Sequence, residues 1–132
     1  MKKRYTNTNY PAGDFLIRVK NSSMAGRQSL SLRSTKFIHA IANCMKEEGY
    51  LSDVKLDTGT ISAKIAQYHK KPVLMDLRLI SKPGLRVYKS ISELKARKAG
   101  SSILILSTPH GIMSNKKAIK VNTGGEVIAE VW

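Results

Sequence analysis

The sequence has little of what disulfide-rich, metal-binding and membrane proteins depend on. Its one cysteine, Cys44, excludes an internal disulfide framework and a multi-cysteine metal site, and it suits a reducing compartment. No segment approaches the run of about 18 apolar residues that crosses a bilayer, so we expect no membrane partner. The amino end, MKKRYTNTNY, has no apolar segment behind its basic residues, and we therefore expect no secretory signal there.

The residue patterns of enzymes are also scarce. The histidines His39, His69 and His110 have no carboxylate or cysteine at ligand spacing, so no metal site is expected. TGGE at 123–126 has neither a lysine nor a following helix, and it is not a phosphate loop of the nucleotide-hydrolase kind. Ser107 with His110 as its base remains open as a hydrolase alternative, although no acid lies nearby in the chain. We expect a non-enzymatic protein without a cofactor or a small-molecule substrate.

Acidic residues are few. Lysine and arginine number 23 against nine aspartates and glutamates, which gives a formal net charge of +14. The excess is present in both parts of the chain, with 14 basic and six acidic residues over 1–80, and nine and three over 81–132. So many positive charges repel one another in a compact chain, and such an excess usually indicates a polyanionic partner. Nucleic acid is the partner expected from the charge, with an anionic membrane surface and a merely solvated basic surface as alternatives.

The first 80 residues predict a helix, a strand, a helix and three strands. Pro11 and Asp14 suit the start of the first helix, and Gly26 and Gly49 are stops for the two helices. Ser34 is the expected N-cap of the second helix. The helices are predicted at 11–25 and 35–48, and the strands at 28–32, 50–56, 61–65 and 73–79. The last three strands are expected to form one antiparallel meander, with DTGT at 57–60 as the turn between the first two of them.

The rest of the chain predicts a mostly β unit. Pro83 and Gly84 are expected to form a hinge, and Ser114 is expected to cap a short helical segment, SNKKAIK. Strands are predicted at 85–88, 101–106 and 126–132, and a short helix near 92–99 ending at Gly100. The fold class is therefore α/β of the α+β type. Its two small domains are 1–80, the helix-strand-helix-three-strand unit, and 81–132, the mostly β unit with a short helix.

A set of residues near the carboxyl end suits RNA recognition. Ser107 and Thr108 follow an apolar run and are expected on a loop, where hydroxyls can contact phosphate or a ribose 2′-OH; the alternative is an ordinary turn. Glycines allow close approach of a ligand, and Glu126 can accept protons from base donors or simply face solvent. Tyr88 can stack on a base or belong to the core. The candidate RNA-binding residues are Ser107, Thr108, Gly111, Thr123, Gly124, Gly125, Glu126, Tyr88, Arg86 and Lys82, with Arg18, Lys20 and Lys36 as backbone-contacting cations in the amino half.

Three stretches resemble a known family. ISKPGLRVY (80–88), ILSTPHGIMSNKKA (105–118) and TGGEVIAEVW (123–132) are similar, in content and order, to the bacterial-type ribosomal protein eight of the small subunit, a member of the universal small-subunit ribosomal protein eight family. PAGDFLIRVKN (11–21), STKF (34–37) and KEEGYL (46–51) agree more loosely. The resemblance spans residues 11–132.

The resemblance implies a structural constituent of the ribosome that binds the central domain of small-subunit ribosomal RNA and supports subunit assembly. It places RNA contacts at Ser107, Thr108, Gly124, Gly125 and Glu126, with Tyr88 beside them. Neighbouring small-subunit proteins are expected partners, with one copy per ribosome, in the cytoplasm, although an organellar ribosome stays open. The alternative is a basic RNA-binding translational regulator that acts on mRNA outside the ribosome.

The sequence departs from the family pattern at three places. The family loop reads Ser-Thr-Ser followed by a basic or amide residue, whereas Pro109 and His110 stand there in this chain. Proline brings neither a hydroxyl nor an N–H, so one family contact is expected to be missing. Tyr10 precedes Pro11 where aspartate is usual, and the segment MKKRYTNTN has no clear counterpart.

Overall fold

The chain forms two compact units in a computed structural model, Met1–Met75 and Asp76–Trp132. The structure describes residues 10–97, 100 and 102–132. Helices and antiparallel sheets are both present, which confirms the α+β class. The division lies a few residues before the one predicted at about residue 80. The segment MKKRYTNTN, the end of the predicted 92–99 helix and the first residue of the predicted 101–106 strand lie outside the described residues.

The first unit contains two helices, α1 (Pro11–Met24) and α2 (Lys36–Glu47). Both stop as predicted: Gly26 and Gly49 have φ of +75° and +89°, the left-handed conformation in which glycine carries no Cβ penalty. The predicted cap of α2 was wrong by one residue. Thr35, not Ser34, accepts the Ile38 N–H at 3.1 Å, because Thr35 is the extended residue that directly precedes the first helical turn.

The sheet of the first unit has three antiparallel strands. These are β1 (Ser29–Arg33), β2 (Leu51–Asp57) and β3 (Thr60–Ile65), in the order β1-β3-β2. Thr58 and Gly59 close the β2–β3 hairpin at φ of +44° and +80°, as the DTGT segment predicted. The apolar side chains of β3 are buried on one face, where α1 and α2 supply the rest of the core: Phe15, Leu16, Val19, Ile41, Met45, Ile61, Ala63 and Ile65.

The prediction that residues 73–79 form a further strand of this sheet was wrong. After β3 the chain forms a small ribbon, in which β4 (Gln67–Tyr68) pairs with β5 (Lys71–Pro72). The end of the predicted segment forms β6 (Leu77–Leu79), which pairs with β10 (Gly125–Val131), a strand of the second unit. Met75 keeps 73% of its surface exposed, whereas Leu74 is buried. Alternation predicts that a segment is extended, but it does not select the partner strand.

The second unit is a five-stranded antiparallel sheet with two short helices. Its elements after β6 are β7 (Tyr88–Lys89), α3 (Ile91–Ala96), β8 (Ile103–Thr108), β9 (Gly111–Ser114), α4 (Asn115–Lys120) and β10 (Gly125–Val131). The sheet order is β6-β10-β8-β9, and β7 also pairs with β10. The predicted strand at 85–88 is reduced to its last residue and Lys89, because Leu85 closes a turn with Lys82 around Gly84 at φ +82°.

Both helices of the second unit are capped by serine. Ser114 Oγ accepts the Lys117 N–H at 3.3 Å, which confirms the predicted cap. Ser90 and Glu93 form a capping box at the start of α3. One hydrophobic cluster lies among these helices and the inner faces of β8, β9 and β10: Leu94, Leu104, Leu106, Met113, Ala118 and Val127.

Candidate functional site

The strand register of the second unit aligns four side chains in one row. Glu126 on β10 lies opposite Tyr88 on β7 and opposite Ser107 on β8, and Ser107 lies opposite Ile112 on β9. Directly opposed residues in antiparallel strands point to the same face, about 5 Å apart. The row Tyr88, Glu126, Ser107 and Ile112 therefore shares one face, whereas the neighbours Leu106, Met113 and Val127 point into the core cluster on the other. Three of the predicted RNA-binding residues meet in this row.

Ser107 and Thr108 were expected on a loop, and that expectation was wrong. They are the last residues of β8, and Pro109 and His110 form the turn to β9. Thr108 Oγ1 donates to the Gly111 carbonyl at 2.7 Å and accepts the His110 N–H at 3.1 Å. The threonine hydroxyl thus holds the hairpin together. The Ser107 hydroxyl, by contrast, has no hydrogen-bond partner within the described part of the chain.

Gly111 is required by the same hairpin. Its φ is +115°, and the space around a Cβ at this position is open. Backbone conformation, rather than close contact, therefore selects glycine here. The residue lies at the exposed tip of the β8–β9 hairpin, directly before Ile112 of the row.

Gly124 and Gly125 serve the packing of the sheet itself. A Cβ on Gly125 would lie closer than 3.0 Å to the Ser107 carbonyl oxygen. A Cβ on Gly124 would collide in the same way with the Lys89 carbonyl oxygen. The chain enters β10 between the backbones of β7 and β8, and only residues without a side chain fit there. The close approach expected from these glycines is thus made by the protein's own strands.

Thr123 fixes the entry into β10. Its N–H donates to the Ala118 carbonyl at 3.0 Å, closing the end of α4. Its hydroxyl donates to the Gly124 carbonyl at 3.0 Å. Both groups are used inside the protein, so Thr123 positions the glycines beside the row.

Glu126 is not the solvent-facing residue of the alternative interpretation. Its side chain is only 17% exposed, and Arg86 Nη1 lies 3.1 Å from its Oε2. An oppositely charged partner offsets the desolvation of a partly buried carboxylate. The pair fixes the orientation of both groups, and the second carboxylate oxygen can accept a further proton donor. Arg86 and Tyr88 are thus both neighbours of Glu126, Arg86 through the ion pair and Tyr88 through the strand register.

Tyr88 is 67% exposed, and its alternative interpretation as a core residue was wrong. An exposed ring at the end of the row offers a flat apolar surface to a base. Lys82 is also exposed, on the turn that precedes β7. Hydroxyl, carboxylate, guanidinium and ring therefore lie together on one side of the second unit.

The three cations of the amino half lie on the helices of the first unit. Arg18 is on α1 and forms an ion pair with Asp14 at 3.2 Å. Lys20 is a half-buried residue of the same helix, and Lys36 is the exposed first residue of α2. They belong to a different unit from the row and form no part of it.

Glu130 holds a second ionic cluster, at the opposite end of β10. Its carboxylate accepts the Ser102 hydroxyl at 2.9 Å and pairs with Arg78 at 2.9 Å and Arg97 at 3.3 Å. The Ser102 hydrogen bond, followed by the two guanidinium charges, lowers the pKa of Glu130 despite its partial burial. This cluster ties β6, β10 and the segment after α3 together.

Three features of other classes of protein are absent from the described residues: a metal-ligand group, a membrane-spanning helix and a Ser–His hydrogen bond at Ser107. No group of three or more His, Cys, Asp or Glu residues there has the arrangement of a metal site. None of the helices over those residues is long and apolar enough to span a bilayer. Ser107 makes no hydrogen bond to His110 in this part of the chain, and its directly opposed strand neighbours are Glu126 and Ile112.

Comparisons with known proteins show the family to which the chain belongs. The sequence profile of the family described as Ribosomal protein S8 matches residues 11–132, a range that covers the second unit and the first unit from residue 11 onward. The chain belongs to the ribosomal protein S8 family. The S8 family consists of structural ribosomal proteins rather than enzymes, so the expected family and the non-enzymatic assignment are confirmed.

Curated relatives carry the same assignment over nearly their whole length. The small ribosomal subunit protein uS8 of Legionella pneumophila (strain Lens) is 41% identical over 126 residues, which cover 92% of this chain and 95% of the relative. The protein of that name from Nitrosococcus oceani is 40% identical over 124 residues, covering 92% and 95%. That of Nitratidesulfovibrio vulgaris (strain DP4) is 35% identical over 122 residues, covering 92% and 97%.

One member of the row was not among the predicted site residues. Ile112 completes the row on β9 and is half-buried beside Ser107. Alternation over 111–114 places Ile112 and Met113 on opposite faces, but only the hairpin register shows which of them adjoins Ser107. The exposed lysines of α4, Lys116, Lys117 and Lys120, follow the same hairpin and were predicted only as part of a helical segment.

Proposed function

We propose that this S8-family protein binds the central domain of small-subunit ribosomal RNA and supports assembly of the subunit. The observation that carries the proposal is the row in the second unit, where Tyr88, Glu126 and Ser107 lie side by side with Arg86. The ring suits stacking on an unpaired base, the carboxylate suits amino donors of bases, and the hydroxyl suits a phosphate oxygen or a 2′-OH.

Charge supplies the remaining affinity. The chain carries +14 formal charges, while the carboxylates of Glu126 and Glu130 are already neutralised by arginines of the same unit. Each lysine or arginine that neutralises a phosphate releases counterions, so binding is expected to weaken steeply with salt. The cations Lys82, Arg18, Lys20 and Lys36 are proposed backbone contacts, which give affinity without base selection.

The test is binding of the full chain to two transcripts of equal length. One covers the central domain of small-subunit ribosomal RNA and the other a different domain, and both are measured by fluorescence anisotropy over a salt series. We expect preferential binding to the central-domain transcript and hydroxyl-radical protection within it. Equal affinity for both transcripts at every salt concentration would contradict the proposal.

Tyr88→Ala tests the row directly. Loss of a stacked base is expected to weaken central-domain binding by about 1–3 kcal/mol, and Tyr88→Phe is expected to retain most of the affinity. Val121→Ala is the matched control, since Val121 is an exposed apolar residue of the same unit that lies outside the row. Sedimentation with small subunits separates the ribosomal role from regulation of mRNA, because a regulator outside the ribosome would bind RNA without co-sedimenting.

A further inference from the structure

The β4–β5 ribbon of the first unit presents an aromatic ring and two lysines on a short turn. Tyr68 is 71% exposed, and the His69 ring meets it edge-on at a centroid distance of 4.1 Å and an interplanar angle of 73°. Lys70 and Lys71 follow directly and are exposed. The whole segment, QYHKKP at 67–72, contains no acidic residue.

The turn adopts a conformation that its residues do not favour. His69 and Lys70 have φ of +51° and +67°, the two left-handed positions of a hairpin turn that asparagine and glycine normally occupy. Residues with long or ring side chains persist in such positions where the surrounding structure enforces them, and they concentrate at functional sites. Here the result is that a ring and a cation extend from the tip.

The other hairpin of this unit shows a different pattern. The β2–β3 hairpin also exposes an apolar side chain, Leu56 at 51%, but its strand β2 carries Asp53 and Asp57 on either side of Lys55. Asp53 lies 3.9 Å from Lys46 and 4.0 Å from Lys55. The β2–β3 hairpin is thus charge-balanced, whereas the β4–β5 ribbon is purely cationic and aromatic.

We infer that the β4–β5 ribbon is a second RNA contact, in which Tyr68 stacks on an unpaired base and Lys70 and Lys71 bind the flanking phosphates. An exposed ring with adjacent cations and no acid is the arrangement that binds single-stranded nucleic acid without strong sequence preference. The contact belongs to the first unit, whereas the Tyr88 row belongs to the second. The inference rests on the proposed function, because it assumes that the chain binds ribosomal RNA.

The experiment uses the full chain and two probes. The first is the central-domain transcript, and the second is a fluorescein-labelled 12-nucleotide oligouridylate at low salt. Tyr68→Ala is expected to weaken binding of both probes by roughly 5- to 150-fold, the range for loss of one stacked base. Tyr68→Phe is expected to bind nearly as the wild type does, and Leu56→Ala serves as the matched control on the charge-balanced β2–β3 hairpin. Thermal unfolding verifies that each variant is folded.

The contribution of the two lysines and the position of the RNA contact are measured in separate experiments. The Lys70→Gln, Lys71→Gln double variant is expected to reduce the slope of log affinity against log salt by about 1.4 for the oligouridylate. With 5-iodouridine in the RNA, ultraviolet crosslinking followed by peptide mapping is expected to identify Tyr68 or His69.

The outcomes distinguish this inference from the proposed function. If Tyr68→Ala binds both probes as the wild type does and crosslinks map only near Tyr88, the ribbon contact is overturned and the proposed function stands. If the oligouridylate responds to Tyr68→Ala but the wild type ignores the central-domain transcript, the proposed function fails and the ribbon contact stands. If Tyr68→Ala impairs only incorporation into subunits, the ribbon contacts a protein and the inference is overturned. If the wild type binds neither probe, both fail.

Discussion

Gly125→Ala gives the sharpest test of the role assigned to the paired glycines. The added Cβ would lie closer than 3.0 Å to the Ser107 carbonyl oxygen, 3.0 Å from its carbonyl carbon and 3.1 Å from Thr108 Cγ2. Two of these three neighbours are backbone atoms of β8, so the collision cannot be relieved by a change of rotamer. The strands β8 and β10 would have to separate at Glu126, the point where the row is assembled.

The expected cost is about 1–3 kcal/mol, the usual range for overpacking a well-packed site. For a chain of this length, that corresponds to a decrease in Tm of roughly 4–12 °C. Urea unfolding and thermal unfolding followed by circular dichroism measure it. RNA affinity at a temperature where the variant is folded should fall as well, because the Ser107 and Glu126 side chains would no longer be aligned.

Gly100→Ala is the control for this prediction. A Cβ on Gly100 meets no atom of the described residues within 4 Å, so this substitution should change stability by less than about 0.5 kcal/mol. If Gly125→Ala were as stable as Gly100→Ala and lost RNA affinity alone, the glycine would serve the ligand rather than the sheet, and our reasoning would be refuted.

Three further predictions concern single side chains. Ser107→Ala should weaken binding of the central-domain transcript by about 1 kcal/mol, roughly fivefold, for one lost hydrogen bond; an unchanged dissociation constant in the anisotropy assay would remove Ser107 from the site. Glu126→Gln keeps an acceptor oxygen but ends the ion pair with Arg86, so discrimination against base-substituted RNA should fall about fivefold; an unaltered ratio of the two affinities would argue against base contact. Glu130 has its pKa lowered from 4.5 in the folded state, so its stabilisation is present above pH 4.5 and is lost as the pH falls through the lowered value. Glu130→Gln should therefore lower the free energy of unfolding by about 1–2 kcal/mol near neutral pH. Measured by urea unfolding, the difference in free energy between the variant and the wild type should shrink below pH 4.5; a difference independent of pH would refute this.

Local signals in the sequence predicted the structure correctly where it depends on residues that are near each other in the chain. Proline and aspartate placed the start of α1, and glycine placed the ends of both long helices, because those conformations depend on the residue itself. The Ser114 cap and the DTGT turn were predicted for the same reason. Alternation correctly placed β2 and β3, whose hairpin partners are adjacent in the chain.

Predictions failed where the structure depends on a partner strand that is distant in the chain. The segment 73–79 alternates like a strand of the first sheet, yet Leu77 and Leu79 pair with Val131 and Ala129 of β10. Ser107 was expected on a loop, yet it is a strand residue opposite Glu126 of β10. No local pattern contains that information, because pairing energy depends on residues far along the chain.

The sequence by itself determined the charge, the class of fold, the family and the types of side chain available for recognition, since each of these depends on composition or short motifs. Tertiary structure alone decided which of those side chains meet. Tyr88, Ser107 and Glu126 are distant in the chain and become neighbours because β7, β10 and β8 pair in one register. The same pairing explains why Gly124 and Gly125 must lack a side chain: two other backbones occupy the space where it would be.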